Sequence, residues 1–423
     1  MDLLADLDSR GLIHDSTDRD ELAGRLGADP ITAYCGFDPT SDSLHVGSLM
    51  SILALRRLQD AGHHPIALVG GATGMIGDPA GRSAERTLLD SETLAANIDG
   101  VRSVLTRFLD VDGAATLVDN AQWTTGVSLI DFLRDVGKHF TVNAMVAKES
   151  VRSRMEGTEG LSYTEFSYML LQAHDYLWLH DHHRCQLQVG GSDQWGNIVA
   201  GVDLVRRVRG ERVHAYTWPL LTDAQGRKFG KTAEGTSVWL SADRTSPYRL
   251  FQYCVNQPDA AVDRLLRWMT LMPVGDVAAT MAGHERAPQL RGAQLTLARE
   301  VTTLVHGAPA SQSAEEAASV VFGGDMSAVG EDAFRLLESE LPIGHLSAGI
   351  VLTGADPIEV AVQSGLAASK GAARRAIEQG GMYVNNQRIE ATATIGADHL
   401  RYGRWILLRQ GKKQHRLIVV EGA

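Results

Sequence analysis

The stretch YCGFDPTSDSLHVGSL, residues 34–49, decides the fold reading. An apolar run at 31–35 leads into it as a candidate strand, Asp38, Pro39 and Thr40 make a turn, and Ser43 or Asp42 is placed to cap a helix over 44–60 with His45 in its first turn. Backbone N–H groups and the helix dipole favour an anion at that end, so an imidazole there could reach a phosphate. Gly47 removes a side chain where a flat purine ring would need close backbone approach. On this segment alone the plainer reading is a capped helix with an incidental histidine and glycine.

Outward from it, short apolar runs at 65–69, 116–118 and 185–189 alternate with helical periodicities at 91–108 and 128–136. That alternation predicts an α/β domain with a parallel, Rossmann-like sheet, right-handed crossovers and a ligand crevice at the carboxyl ends of the strands. It should occupy residues 1–245. Helical spacing without strands, as at 258–269 and 293–306, predicts a helical domain over 246–340. LPIGHLSAGIVLTG has no clear period, so 341–353 reads as a linker to a small α+β domain over 354–423.

Composition bounds the function. With 44% hydrophobic and 22% charged residues, the 423-residue chain is globular rather than disordered or fibrous. MDLLADLDSR lacks the basic start of a secretory signal and no run reaches membrane-spanning length, so a cytoplasmic location without a membrane partner is expected. Cys35, Cys185 and Cys254 are too scattered for a disulfide framework or a CxxC metal knuckle. The net charge of −11 argues against a polyanionic partner, but residues 354–423 hold ten Lys/Arg against six Asp/Glu, a net of +4 that leaves −15 elsewhere.

GRKFGKT, residues 226–232, places Lys228 and Lys231 three apart in a glycine-containing loop with Thr232 after them, a group able to close over a triphosphate. A Walker A loop is excluded because Gly226 and Gly230 are one residue too close. A solvated basic turn remains the bland alternative. GGATGMIGDP, residues 70–79, is out of register for a dinucleotide fingerprint and reads as a loop carrying Thr73 and Asp78. Tyr168, Gln172 and Asp175 recur at i, i+4 and i+7, putting a phenol, an amide and a carboxylate on one helix face, either a pocket wall or a hydrated surface. His180, His182, His183 and Cys185 read as a polar turn rather than a zinc site.

Taken together, HVGS (45–48) and KFGKT (228–232) resemble the HIGH and KMSKS signatures of class I aminoacyl-tRNA synthetases, and YCGFDPT, ALVGGATGMIGDP, FLRDVGKHF, TEFSYMLLQAHD and QVGGSDQWGN are similar, in order, to segments of the bacterial tyrosyl branch. The resemblance implies that tyrosine is activated with ATP to an adenylate and passed to the 3′ end of a tRNA. It assigns Tyr34, Asp78, Tyr168, Gln172, Asp175 and Gln188 to tyrosine, and Gly36, Asp38, His45, Gly47, Ser48, Gly191, Asp193, Gln194 and Lys231 to ATP. Catalysis would fall to Thr40, His45, Lys228, Lys231, Thr232, Arg82 and Arg86, with Mg²⁺ accompanying ATP as a substrate and no structural metal. Ser48 stands where the signature has a second histidine, and Arg82 and Ser83 where many relatives carry two lysines. SKGAARRAIEQGGMYVNNQRI resembles the alpha-L RNA-binding fold, which assigns Ser369, Lys370, Arg374, Arg375, Arg409, Lys412 and Lys413 to RNA. Members of the branch are homodimers. A tryptophan-specific sibling, or a synthetase fold retained for RNA binding without catalysis, are the rivals.

Overall fold

The computed structural model describes residues 2–78, 89–148, 151–152, 155, 160–222, 229–232, 235–390 and 392–421. They form two compact units, one of 1–245 with 255–305 and the other of 246–254 with 306–423. The 246–340 stretch is built of helices, but it is divided between these units.

In the first unit a six-stranded sheet runs in the order β1 (Asp15–Ser16), β6 (His214–Trp218), β5 (Cys185–Gly191), β2 (Thr32–Phe37), β3 (His64–Val69) and β4 (Thr116–Asp119). All neighbours are parallel except β1, which pairs antiparallel with β6. Four strands fall on the apolar runs of the sequence. β6 does not, because two of its five buried residues, His214 and Thr217, are polar; Thr217 exchanges hydrogen bonds with Asp15 of β1. From β2 the chain continues to β3 on one side while β5 lies on the other, so the β2–β5 seam is where the strand order reverses and a crevice opens.

Two helices fix the loop after β2. The Leu49–Asp60 helix buries Leu49, Ile52, Leu53 and Leu55 completely. It also buries Arg57, whose Nη2 donates to the carbonyls of Arg267, Trp268 and Thr270 at 3.4, 3.2 and 2.8 Å; this ties the Asp259–Met269 helix to the first unit. Burial pulls the Arg57 guanidinium down to about 10. Across the loop, Asn97 of the Ser91–Leu105 helix donates to the Pro39 carbonyl at 3.0 Å. Gly100 of the same helix lets the chain at Asp42 lie against it, since a Cβ there would stand 1.9 Å from the Asp42 carbonyl oxygen.

In the second unit the order is β7 (Ile343–Ser347), β11 (Gln414–Glu421), β10 (Trp405–Gln410), β8 (Met382–Val384) and β9 (Gln387–Arg388). Side chains alternate between two cores, as the two-residue period of a strand requires. Trp405, Leu407, Leu417 and Val419 join Ala317, Phe334 and Leu337 of the Ala308–Val321 and Glu331–Glu340 helices. Ile406, Leu408, Ile418 and Val420 join Ile358, Ala373 and Ile377 on the opposite face. The 341–353 stretch, expected as a linker, is β7 followed by the Ala348–Thr353 helix. Its alternation escapes a hydropathy reading because β7 buries Gly344 and Leu346 while leaving Ile343 exposed.

Helix propensity alone makes Gly100→Ala stabilising by ~1 kcal/mol. The backbone overlap with Asp42 reverses the sign: urea unfolding of Gly100→Ala is expected to show a net loss of ~1–3 kcal/mol.

Candidate active site

The two signature segments meet at the mouth of a cavity of about 320 Å³ at the β2–β5 seam. His45 is itself the cap of a short 3₁₀ turn, Val46–Ser48, and neither Ser43 nor Asp42 serves as one: its Nδ1 accepts from the Gly47 N–H at 3.0 Å. An accepting Nδ1 assigns the ring proton to Nε2. Gly47 is required by this fold-back before any ligand is considered, because a Cβ would lie 2.8 Å from His45 Cε1 and 3.0 Å from the Phe229 carbonyl oxygen. Gly230 adopts φ +117, a conformation open to glycine.

The joining element is a segment absent from the sequence reading. Val238 N–H donates to the Gly230 carbonyl at 2.9 Å, the Val46 N–H donates to the Val238 carbonyl at 2.8 Å, and Leu240 N–H donates to Leu44 at 2.8 Å. Residues 238–240 thus act as a short strand between HVGS and the FGKT end of the second loop. Lys231 is exposed and pairs with Ser237, and Thr232 is bonded to Thr236. Thr40 is exposed on the turn, outside the cavity wall. Lys228, Arg82 and Arg86 lie outside the described residues.

The cavity wall gathers Tyr34, Gly36, Asp38, His45, Gly47, Ser48, Asp78, Tyr168, Gln172, Asp175, Gln188, Gly191, Asp193 and Gln194. A hydrogen-bond chain crosses its inner end. Tyr168 Oη donates to Asp38 at 3.0 Å, Thr73 Oγ1 donates to the other Asp38 oxygen at 3.0 Å, and Asn120 Nδ2 donates to Thr73 at 3.1 Å and to Asp175 at 2.9 Å. Trp123 Nε1 donates to the remaining Asp175 oxygen at 2.9 Å. Asn120 is fully buried and its own oxygen accepts from Ala72 N–H at 2.8 Å, so its orientation is fixed. Tyr34 Oη and Gln188 Oε1, facing each other's strands in register, are buried without a hydrogen-bond partner among the described residues. Toward the mouth, Gln194 donates to Asp78 at 2.6 Å and Asn197 donates to Gln172 at 3.1 Å.

Burial pushes the Asp175 carboxyl up to about 7 against the lowering effect of its two donors. It raises the Tyr34 and Tyr168 phenols well above their usual range, with nearby carboxylates adding to the effect. Cys35 lines the cavity, but burial raises its thiol to about 12, so it is not a nucleophile at neutral pH. Sequence reasoning missed Asn120 and Trp123. The available signal was DNAQW, residues 119–123, polar groups set at the carboxyl end of a strand.

In the second unit, Ser369 caps the Lys370–Glu378 helix through Ala372 N–H. Lys370 pairs with Glu359, while Arg374, Arg375, Lys412 and Lys413 are exposed. Arg409 is held in place: it stacks 3.8 Å from the Tyr383 ring centroid and donates to Asn386 and Gly411. Gly380 permits a close pass of Arg388, whose Nη2 would lie 1.9 Å from a Cβ there. Among the described residues no group of three His, Cys, Asp or Glu side chains is placed to hold a metal, and no helix is long and apolar enough to cross a membrane.

Residues 27–323 match the family described as tRNA synthetases class I (W and Y), and residues 350–418 match the tyrosine–tRNA ligase SYY-like C-terminal domain. The chain is 50% identical to a tyrosine–tRNA ligase of Opitutus terrae over 99% of this chain and 100% of that one, and 50% identical to one of Mycobacterium sp. (strain KMS) over 97% of each. Among solved structures it is similar to a C-terminally truncated mitochondrial tyrosyl-tRNA synthetase of Aspergillus nidulans, at 32% identity and a TM-score of 0.66, covering 74% of this chain and 92% of that one. A tryptophanyl-tRNA synthetase of Encephalitozoon cuniculi shares the fold alone, at 12% identity and a TM-score of 0.56, covering 79% of this chain and 91% of that one.

The raised Asp175 carboxyl has a consequence for stability. Between its ordinary 3.8 and about 7 the folded protein binds a proton that the unfolded chain does not, so this group's contribution to stability falls as pH rises through that window and levels off above it. Asp175→Asn should flatten that slope, read as the difference in urea midpoints between the two proteins from pH 4.5 to 8.

Proposed function

The chain belongs to the class I tRNA synthetases of the tryptophan and tyrosine group, and from that premise we propose how its pocket and its C-terminal unit divide the work of tyrosine–tRNA ligation. The reaction itself is the family's. Tyrosine is activated with ATP, its carboxylate oxygen attacking the α-phosphorus and pyrophosphate leaving; a terminal ribose hydroxyl of tRNA then attacks the acyl carbon and AMP leaves. Neither step requires a protein nucleophile, so positioning and charge stabilisation supply the acceleration.

The observation that carries the assignment is the inner end of the cavity. Asp175, fixed by Asn120 and Trp123, lies in a buried wall with the Tyr34 hydroxyl and Gln188 carbonyl, which have no hydrogen-bond partner among the described residues. The para-hydroxyl of tyrosine would donate to Asp175 and accept from the Tyr34 hydroxyl, with Gln188 beside them. Phenylalanine would leave the buried Tyr34 hydroxyl without that partner and Asp175 one bond short, at a cost of ~1–3 kcal/mol for a buried group, a discrimination for which tyrosyl-tRNA synthetase is the standard illustration. Tyr168, Gln172 and Asp78 would hold the α-ammonium, and Gly191, Asp193 and Gln194 the ribose side.

At the mouth, His45 Nε2–H would donate to an ATP phosphate, with Gly36, Asp38, Gly47 and Ser48 around the nucleoside. Lys231 and Thr232 would close with Lys228 from the second loop, helped by Thr40, Arg82 and Arg86. That the FGKT segment is hydrogen-bonded to HVGS through Val238 supports their acting together. Mg²⁺ would arrive on the ATP phosphates.

Arg374, Arg375, Lys412 and Lys413, exposed on the basic segment 354–423, fit a tRNA backbone, with Ser369 and Lys370 at the helix start and Arg409 beneath. A second copy of the chain would cover the apolar side chains of the first unit that stand in solvent: Leu129 and Ile130 at 70% exposure, Val142 at 62% and Tyr163 at 73%. The Leu129–Asp135 helix has no buried residue at all. Sedimentation velocity should find a dimer, and Ile130→Asp a monomer.

The partial reactions separate the two sets of cations. Lys231→Ala should slow single-turnover adenylate formation by roughly 10²-fold or more while shifting the tyrosine Kd less than about threefold. Arg374→Ala with Arg375→Ala should leave ATP–pyrophosphate exchange intact and raise the KM for tRNA, with a reduced salt dependence. A comparable loss of tyrosine binding in Lys231→Ala, or of ATP–pyrophosphate exchange in the double arginine variant, contradicts the division.

A further inference from the structure

Behind the tyrosine pocket, outside the cavity wall, three rings form a column. Trp123 and Trp178 are stacked with centroids 4.0 Å apart and planes within 7°, and Trp178 is stacked in turn on His182 at 4.1 Å and 13°. His182 is exposed and its Nδ1–H donates to the Trp178 carbonyl at 2.9 Å, which fixes the outermost ring on the helix that carries it. The innermost ring is buried and gives its only N–H to Asp175.

The spacing explains why the column can exist. Asp175, Trp178 and His182 stand at i, i+3 and i+7 of the Tyr163–His183 helix, one stripe on one face. Trp123 instead comes from the four-residue Ala121–Thr124 helix, a single turn with little stability of its own. Its indole plane is therefore set by what packs against it, and within that core the ring stacked on its face is Trp178.

We infer that Trp178, backed by His182, is a positioning residue for tyrosine recognition: it holds the Trp123 indole so that its N–H meets Asp175, and so keeps that carboxylate aimed and ionised for the substrate hydroxyl. The inference rests on the proposed role of Asp175. Two donors serve Asp175, and Asn120 is locked independently by Ala72 N–H and Thr73, so the indole is the donor whose placement depends on the column. Burial already pushes the carboxyl toward its protonated form, and a tilted indole would remove one of the two bonds that oppose this.

The test is ATP–pyrophosphate exchange driven by tyrosine and by phenylalanine. Trp178→Leu is expected to raise the KM for tyrosine roughly two- to tenfold, the range an aromatic pair can supply, with kcat and the KM for ATP changed less than about twofold. Because phenylalanine makes no bond to Asp175, its kcat/KM stays level and discrimination falls by the same factor. Trp178→Phe, which keeps a stacking face, should restore most of it, and Trp178→Leu added to Trp123→Phe should have no further effect. His182→Ala, at the exposed end, should move discrimination the same way by about twofold without touching the fold. Unchanged discrimination in soluble Trp178→Leu, or in His182→Ala should the former not fold, overturns the inference and leaves the column a packing feature. Asp175→Asn is the control: if it discriminates as the parent does, the proposed reading of the pocket fails instead.

Discussion

Everything at the inner end of the pocket depends on keeping one carboxylate in the protein interior. Asp175 is 2% exposed, and an isolated buried carboxylate gives up its charge rather than its hydration. Two donors, the Asn120 amide and the Trp123 indole, each worth ~1.5–3 kcal/mol to a charged acceptor, counter that tendency. They do not cancel it, and the carboxyl stands at about 7 instead of 3.8. A carboxylate poised near neutrality gains when a ligand hydroxyl adds a third bond to its charged form. In the proposed reading that would be the physical basis for recognising a phenol, and it would make Asn120 and Trp123 as consequential as the residues of the wall.

The mouth of the cavity follows a different logic. His45 and Lys231 are exposed, and their segments are held by backbone hydrogen bonds rather than by burial. His45 folds back on Gly47, and 238–240 laces the segment to Gly230, so the FGKT arm of the second loop is anchored to the first signature at one end.

The second unit shows the same economy in a sheet. Odd residues of β10 and β11 face one helical layer and even residues face the other, so each strand serves two cores. The basic segment is consequently not a detachable tail: the 306–340 helices and the 354–421 segment share Trp405, Leu407, Leu417 and Val419. Tyr402, at φ +52, carries the strain of a tight turn and bonds the Val329 carbonyl at 2.7 Å across that shared core.

The amino-acid sequence by itself determined the alternation of strands and helices in the first unit, the face that carries Tyr168, Gln172 and Asp175, and the two signature loops, because each rests on spacing within about ten residues of chain. Tertiary structure alone decided that His45 caps its own turn, that Gly100 exists for Asp42, that β6 and β7 are strands, and that Asn120 and Trp123 hold Asp175 from more than fifty residues away. Apart from His45, whose partner Gly47 is local, each of these has its partner far along the chain: Asp42 for Gly100, Asp15 for Thr217 of β6, β11 for β7, and Asp175 for Asn120 and Trp123. Periodicity reports what a residue does for its own helix or strand, and it is silent about a hydrogen bond or a close contact that forms only when another element arrives.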